Sequence, residues 1–273
     1  MAGTLTKRIL TAAILAPAVL VLVVYGNSHL VALGFGLLAM GCAWEWSGLS
    51  VWKPASRLGY TISVGLLLCA LSLMPDLAHL WIIVGGVWWC FSAVLVFRYQ
   101  VRPHHRHWLN SAPVHTVIGW MMVIPAWAAL VHLHQQPDIG RTGLVIICLL
   151  VWGADTGAYF IGRAFGKHKL SSNVSPGKTW EGVGGALLMG LVLGWVGTWL
   201  LRIDLGSVLL FVLLCEITIA MSVVGDLTES LFKRQSGVKD SGRLLPGHGG
   251  LLDRVDGLIA AAPVFFLGLG VIL

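Results

Sequence analysis

The sequence predicts an all-α integral membrane protein of about nine transmembrane helices, with its N-terminus in the cytoplasm. Three observations carry that prediction. Of 273 residues, 57% are hydrophobic and only 11% charged, and the mean hydropathy of +0.84 lies far outside the soluble range. Apolar runs long enough to cross about 30 Å of hydrocarbon, roughly 20 residues each, recur from end to end. The lysines and arginines fall almost entirely on one side of the threaded chain.

Nine apolar runs read as spans: about 9–26, 29–49, 58–75, 79–97, 114–132, 143–162, 183–201, 206–225 and 251–273. The first reads as an uncleaved span, because no clear small-residue cleavage site ends it. With a cytoplasmic N-terminus, 16 of the 18 basic residues face the cytoplasm: Lys7, Arg8, Lys53, Arg57, Arg98, Arg102, Arg106, Arg163, Lys167, Lys169, Lys178, Lys233, Arg234, Lys239, Arg243 and Arg254. Only Arg141 and Arg202 are left on the far side, and a shift by one span would scramble the bias. The net charge of +6 is accounted for by this topology and by anionic headgroups. No separate soluble domain is large enough to hold a duplex, which argues against nucleic acid as a partner.

Cys42, Cys69, Cys90, Cys148 and Cys215 all fall in apolar spans without metal-ligand spacing, and read as small buried hydrophobes. The 13 tryptophans suit an aromatic belt and the 34 glycines close helix–helix approach. No internal repeat is evident, which weakens an inverted-repeat transporter. Residues 1–140 are assigned to transmembrane packing, with lipid or homodimer contacts left open. Glu45, in Ala-Trp-Glu-Trp, is either functional or a structural hydrogen-bonding group near the cytoplasmic end of the second span. The stretch Arg102–His107 reads as a solvated basic linker, since its histidines are adjacent and not spaced i, i+4.

The chemistry lies in residues 141–273, around cytoplasmic loops 163–182 and 226–250. Asp155 precedes Arg163 by eight residues, which sets its carboxylate about 12 Å in from the cytoplasmic end of its helix. An acid at that depth needs a cation or a hydrogen-bond donor. Gly177-Lys178-Thr179 imitates the end of a P-loop, but Ser172 stands where the pattern requires glycine. What remains suits phosphate: lysines, hydroxyls and a Pro-Gly turn whose N–H groups can face an anion. Further on, Asp226, Glu229 and Ser230 share one helix face, and Asp253 and Asp256 repeat the i, i+3 spacing at the start of the last span. Two antiparallel helix ends thus collect up to four carboxylates beside Lys233, Arg234, Lys239, Asp240, Arg243 and His248. Hard cations such as Mg²⁺ take a few carboxylates plus substrate phosphate oxygens, and nucleotidyl transfer needs that charge neutralised.

Three stretches carry a family resemblance: Val-Trp-Gly-Ala-Asp-Thr-Gly-Ala-Tyr from Val151, Ser-Pro-Gly-Lys-Thr-Trp-Glu-Gly from Ser175, and the long element from Ser230 to Asp256. Together they resemble the catalytic half of the phosphatidate cytidylyltransferases. The resemblance implies that CTP and phosphatidic acid react to give CDP-diacylglycerol and pyrophosphate, with Mg²⁺, at a bacterial-type inner (plasma) membrane and on its cytoplasmic side. The lipid phosphate, with a second pKa of about 6, is already largely dianionic and attacks the α-phosphorus without a general base. Asp226, Asp253 and Asp256 are expected to hold one or two Mg²⁺ ions. Asp155, Lys178, Glu229, Lys239, Asp240 and His248 are the candidate catalytic residues, with Asp155 and Glu229 completing the metal shell or orienting a lysine. Ser175, Ser230, Lys233, Arg234, Arg243, Gly249, Gly250 and Arg254 are the candidate substrate-binding residues. Two rivals are a CTP-dependent lipid kinase and a transporter of a phosphorylated solute.

Overall fold

The computed structural model describes residues 2–50, 52–101, 111–245 and 249–273. Nine helices run through them: α1 (Ala2–Tyr25), α2 (Ser28–Gly48), α3 (Pro54–Ser72), α4 (Pro75–Val101), α5 (Ala112–Gln135), α6 (Gly140–Phe165), α7 (Trp180–Leu200), α8 (Val208–Gln235) and α9 (Leu252–Ile272). Among the described residues, eight are long and apolar enough to cross a bilayer, and Ala13–Tyr25 of α1 is apolar as well. Their outer faces carry exposed Leu66, Phe97, Leu188, Trp195 and Leu209, an apolar surface that only hydrocarbon would tolerate. The chain is a multi-pass, essentially all-helical membrane protein.

Local chemistry marks the helix starts. Asn27 accepts the Leu30 N–H at 2.9 Å, and Pro54 and Pro75 open α3 and α4 where a missing N–H costs nothing. Thr179 caps α7 by accepting the Gly182 N–H at 3.1 Å. Two helices run past the apolar runs that foretold them: α4 reaches Val101, and α8 continues ten residues beyond Gly225 to Gln235. Residues 226–235, expected to begin the last loop, are therefore helical. A Schellman turn ends α8: the Val238 N–H bonds to Lys233 O, the Gly237 N–H to Arg234 O, and Gly237 takes φ +70°.

Helix α5 is the most buried span and packs on α2, α3, α4, α6 and α9. The core joins aromatic residues from both halves, among them Trp46, Trp89, Phe211, Phe232 and Phe265. Of the cysteines, Cys42, Cys148 and Cys215 are buried as expected, whereas Cys69 and Cys90 lie on the outer surface. Among the described residues, the one sheet in this helical chain is a hairpin, β1 (Lys169–Ser171) with β2 (Ser175–Thr179), pairing Lys169 with Thr179 and Ser171 with Ser175. Gln100 at the end of α4 holds its turn: Ser171 Oγ donates to Gln100 Oε1 at 2.6 Å, and Asn173 Nδ2 to Gln100 O at 2.9 Å.

Candidate active site

Helices α8 and α9 cross with backbones almost touching. A Cβ on Gly225 would strike Asp256 O, and one on Gly257 would meet Ser222 Oγ, so glycine at both positions permits the approach. Asp226 follows the first glycine and Asp256 precedes the second, which is how two acids 30 residues apart in sequence reach one place. Helix α6 adds Asp155, and β2 reaches over with Lys178, whose Nζ lies 2.6 Å from Asp226 Oδ2. Ser230 Oγ donates to the other Asp226 oxygen at 3.3 Å.

Asp155, Lys178, Asp226 and Asp256 line a cavity of about 380 Å³ between α6, α7, α8, α9 and the hairpin, with Arg163, Tyr159 and Thr179 on its walls. A second cavity, of about 570 Å³, shares Asp155, Asp226 and Asp256 with the first. Its other walls are chiefly apolar: Leu15, Val19 and Phe35 from α1 and α2, Trp152 from α6, and Leu258 from α9. Asp253 and Arg254 stand at its polar end. A strip of carboxylates thus separates a basic, hydroxyl-edged chamber from a greasy one.

Glu229, which lines neither cavity, belongs to a buried ion triad. Lys233 Nζ donates to Glu229 Oε2 at 2.8 Å and to Asp253 Oδ1 at 2.6 Å. Glu229 is fully buried, and the Lys233 and Asp253 side chains are 11% and 8% exposed. Asp253 Oδ2 accepts two backbone N–H groups, from Ser241 at 3.0 Å and Gly250 at 2.8 Å. That fills three of roughly four acceptor positions on a carboxylate and leaves one open.

The other residues singled out from the sequence are scattered around this centre. Gly250 serves through its N–H, and Gly249 turns the loop with φ +88°. Lys239, Asp240 and Arg243 are exposed on the loop. Arg234 is exposed and donates to Val174 O at 3.2 Å, tying α8 to the hairpin instead of reaching either cavity. Ser175 is half-buried in β2, but the first cavity is lined by the residues after it, Gly177 to Thr179. His248 and the Arg102–His107 stretch lie outside the described residues. Sequence reasoning treated Arg163 as a topology marker only; its place one helical turn beyond Tyr159, on the face shared with Asp155, was the available signal.

The donor set fits a hard cation. Among the described residues no three of His, Cys, Asp or Glu already enclose a metal position. Mg²⁺, however, is commonly held by one or two carboxylates with substrate phosphates and waters completing the shell. Asp155, Asp226 and Asp256 at one cavity wall, with Asp253 beside them, supply such oxygens.

The family profile described as "Cytidylyltransferase family" matches residues 6–272, so the amino-terminal half is included along with the motif-bearing one. A phosphatidate cytidylyltransferase of Pseudomonas aeruginosa is 42% identical over 268 residues, covering 96% of this chain and 95% of that protein. One from Haemophilus influenzae is 37% identical over 281 residues, covering 96% and 97%. A third, from Brucella suis, is 46% identical over 143 residues, about half of each chain. The chain belongs to the cytidylyltransferase family.

Proposed function

We infer that this chain is a phosphatidate cytidylyltransferase. It transfers the cytidylyl group of CTP to phosphatidic acid, giving CDP-diacylglycerol and pyrophosphate for phospholipid synthesis. The observation that supports this reading best is the carboxylate strip shared by two unlike cavities. A triphosphate suits the chamber edged by Lys178, Arg163 and Thr179, and acyl chains suit the one walled by Leu15, Val19 and Phe35. The two reacting phosphates then meet at Asp155, Asp226 and Asp256.

Phosphate brought to carboxylates needs positive charge between them. We assign Asp226, Asp253 and Asp256 to Mg²⁺, with Asp155 beside them. Bound there, the ion supplies charge neutralisation and polarisation of the α-phosphate. Lys178 contributes a second cation on the nucleotide side, already held 2.6 Å from Asp226. Lys233, expected to bind phosphate, is read here as the group that orients Asp253, with Glu229 holding the lysine in turn. The lipid phosphate is largely dianionic at neutral pH, so the chain's task is alignment and electrostatics, not proton abstraction. The positive-inside bias supports a cytoplasmic N-terminus, a cytoplasmic active site and insertion in a bacterial inner membrane.

The test is turnover of the purified chain in liposomes with α-³²P-CTP, phosphatidic acid and Mg²⁺. Label should enter the lipid phase with release of unlabelled pyrophosphate. Label entering lipid only from γ-³²P-CTP, with CDP released, would overturn the reading in favour of a lipid kinase.

A further inference from the structure

We propose that Glu45, on α2, is a positioning residue that sets the loop between α8 and α9 and, through it, the carboxylate of Asp253. Its side chain is 2% exposed, yet it is not idle packing. Oε2 accepts the Leu252 N–H at 2.9 Å and the Ser241 hydroxyl at 3.3 Å, and Oε1 accepts the Leu244 N–H at 3.2 Å. These donors lie 196 to 207 residues away in sequence, so one acid of the amino-terminal half organises the carboxy-terminal loop.

Two carboxylates grip the same loop. Ser241 gives its hydroxyl to Glu45 and its N–H to Asp253, and Gly250, which donates to Asp253, leaves no room for a Cβ against Glu45 Oε2. The Leu252 N–H is the first of α9, so Glu45 also caps that helix with negative charge at its positive end. Asp253 sits one residue further on. Its orientation toward Lys233 and the second cavity therefore depends on where Glu45 holds Ser241, Leu244 and Leu252. The nucleotide chamber shares Asp256 of α9 with this arrangement, but its Lys178 rides on a hairpin anchored to Gln100 and Arg234, away from the clamp.

The inference rests on the active site assigned above, and its test separates the two. In E45Q one amide oxygen remains to accept, while the NH₂ group turns a donor onto a backbone N–H. Turnover is measured with hydrogen exchange on the same liposome preparation. The expected result is a fall in kcat of at least about tenfold with the KM for CTP within about threefold. Faster exchange should be confined to residues 236–252. Unchanged kcat, with or without faster exchange, overturns the positioning role. Inactivity of the unaltered chain would instead sink the active-site assignment, leaving the exchange comparison readable. Should E45Q not fold, G242A replaces it, since a Cβ there strikes Glu45 Oε1 and opens the same clamp from the loop side. If that also fails, S241A, which deletes one hydroxyl, decides: wild-type kcat and exchange overturn the proposal, and a partial fall in kcat with faster exchange upholds it.

Discussion

Replacing Lys233 by methionine removes the only cation between two buried acids of its triad. In the intact chain Glu229 Oε2 and Asp253 Oδ1 bind one nitrogen at 2.8 and 2.6 Å. The two oxygens therefore lie within about 5.5 Å of each other, and at an effective dielectric of about 20 their bare charges repel by about 3 kcal/mol. Breaking a buried pair in this way commonly costs about 3–5 kcal/mol, so both routes give the same scale. At about 2–4 °C per kcal/mol, the Tm should fall by roughly 6–20 °C. Tryptophan fluorescence of protein in a mild detergent reads that shift. The double variant Glu229→Gln/Lys233→Met removes one of the two charges and should recover at least half of the loss. Asp253 keeps its Ser241 and Gly250 donors there. A single variant within about 2 °C of wild type, or strictly additive single and double variants, would refute the triad as a coupled buried unit.

Three further outcomes are expected. Lys178→Ala should cut kcat/KM for CTP about 10- to 100-fold, the worth of one charge-assisted phosphate contact, with the KM for phosphatidate moving less; steady-state kinetics against each substrate checks it. Val19→Trp should crowd the apolar cavity and raise the KM for phosphatidate about threefold or more while leaving that for CTP unchanged, and equal effects on both would contradict the division of the cavities. Chelation should abolish turnover and added Mg²⁺ restore it, and Asp226→Asn should raise the Mg²⁺ concentration needed for half-maximal rate by about tenfold or more.

The spans were legible because bilayer thickness sets their length and the basic residues mark their ends. The acids of α8 and α9 were legible for a related reason: carboxylates at i, i+3 in a greasy chain are too costly to keep unless they bind a cation or a donor. Their division of labour was not. Asp226 lines both cavities while Glu229, on the same helix face, lines neither and holds Lys233, and the close crossing at Gly225 and Gly257 sets which acid meets the cavity. The hairpin was invisible because its strands are three and five residues long, carry no apolar alternation, and take support from Gln100, some 70 residues away. Glu45 read equally well as functional or structural, because its partners are mainly backbone N–H groups, which no side-chain pattern announces.

The shared carboxylate strip has a kinetic corollary. A lipid that reaches Asp226 through a wall of Val19, Phe35 and Leu258 never leaves the bilayer, so its driving concentration is its mole fraction in the surface, not its molarity in the tube. CTP, on the proposed reading arriving on the other side, obeys ordinary bulk concentration. Diluting vesicles with buffer should therefore leave the lipid term of the rate untouched, whereas diluting phosphatidic acid with inert phospholipid should lower it at constant total substrate. On the proposed division of the cavities, the reaction joins a two-dimensional to a three-dimensional solution, with the strip of acids as the boundary at which the two meet.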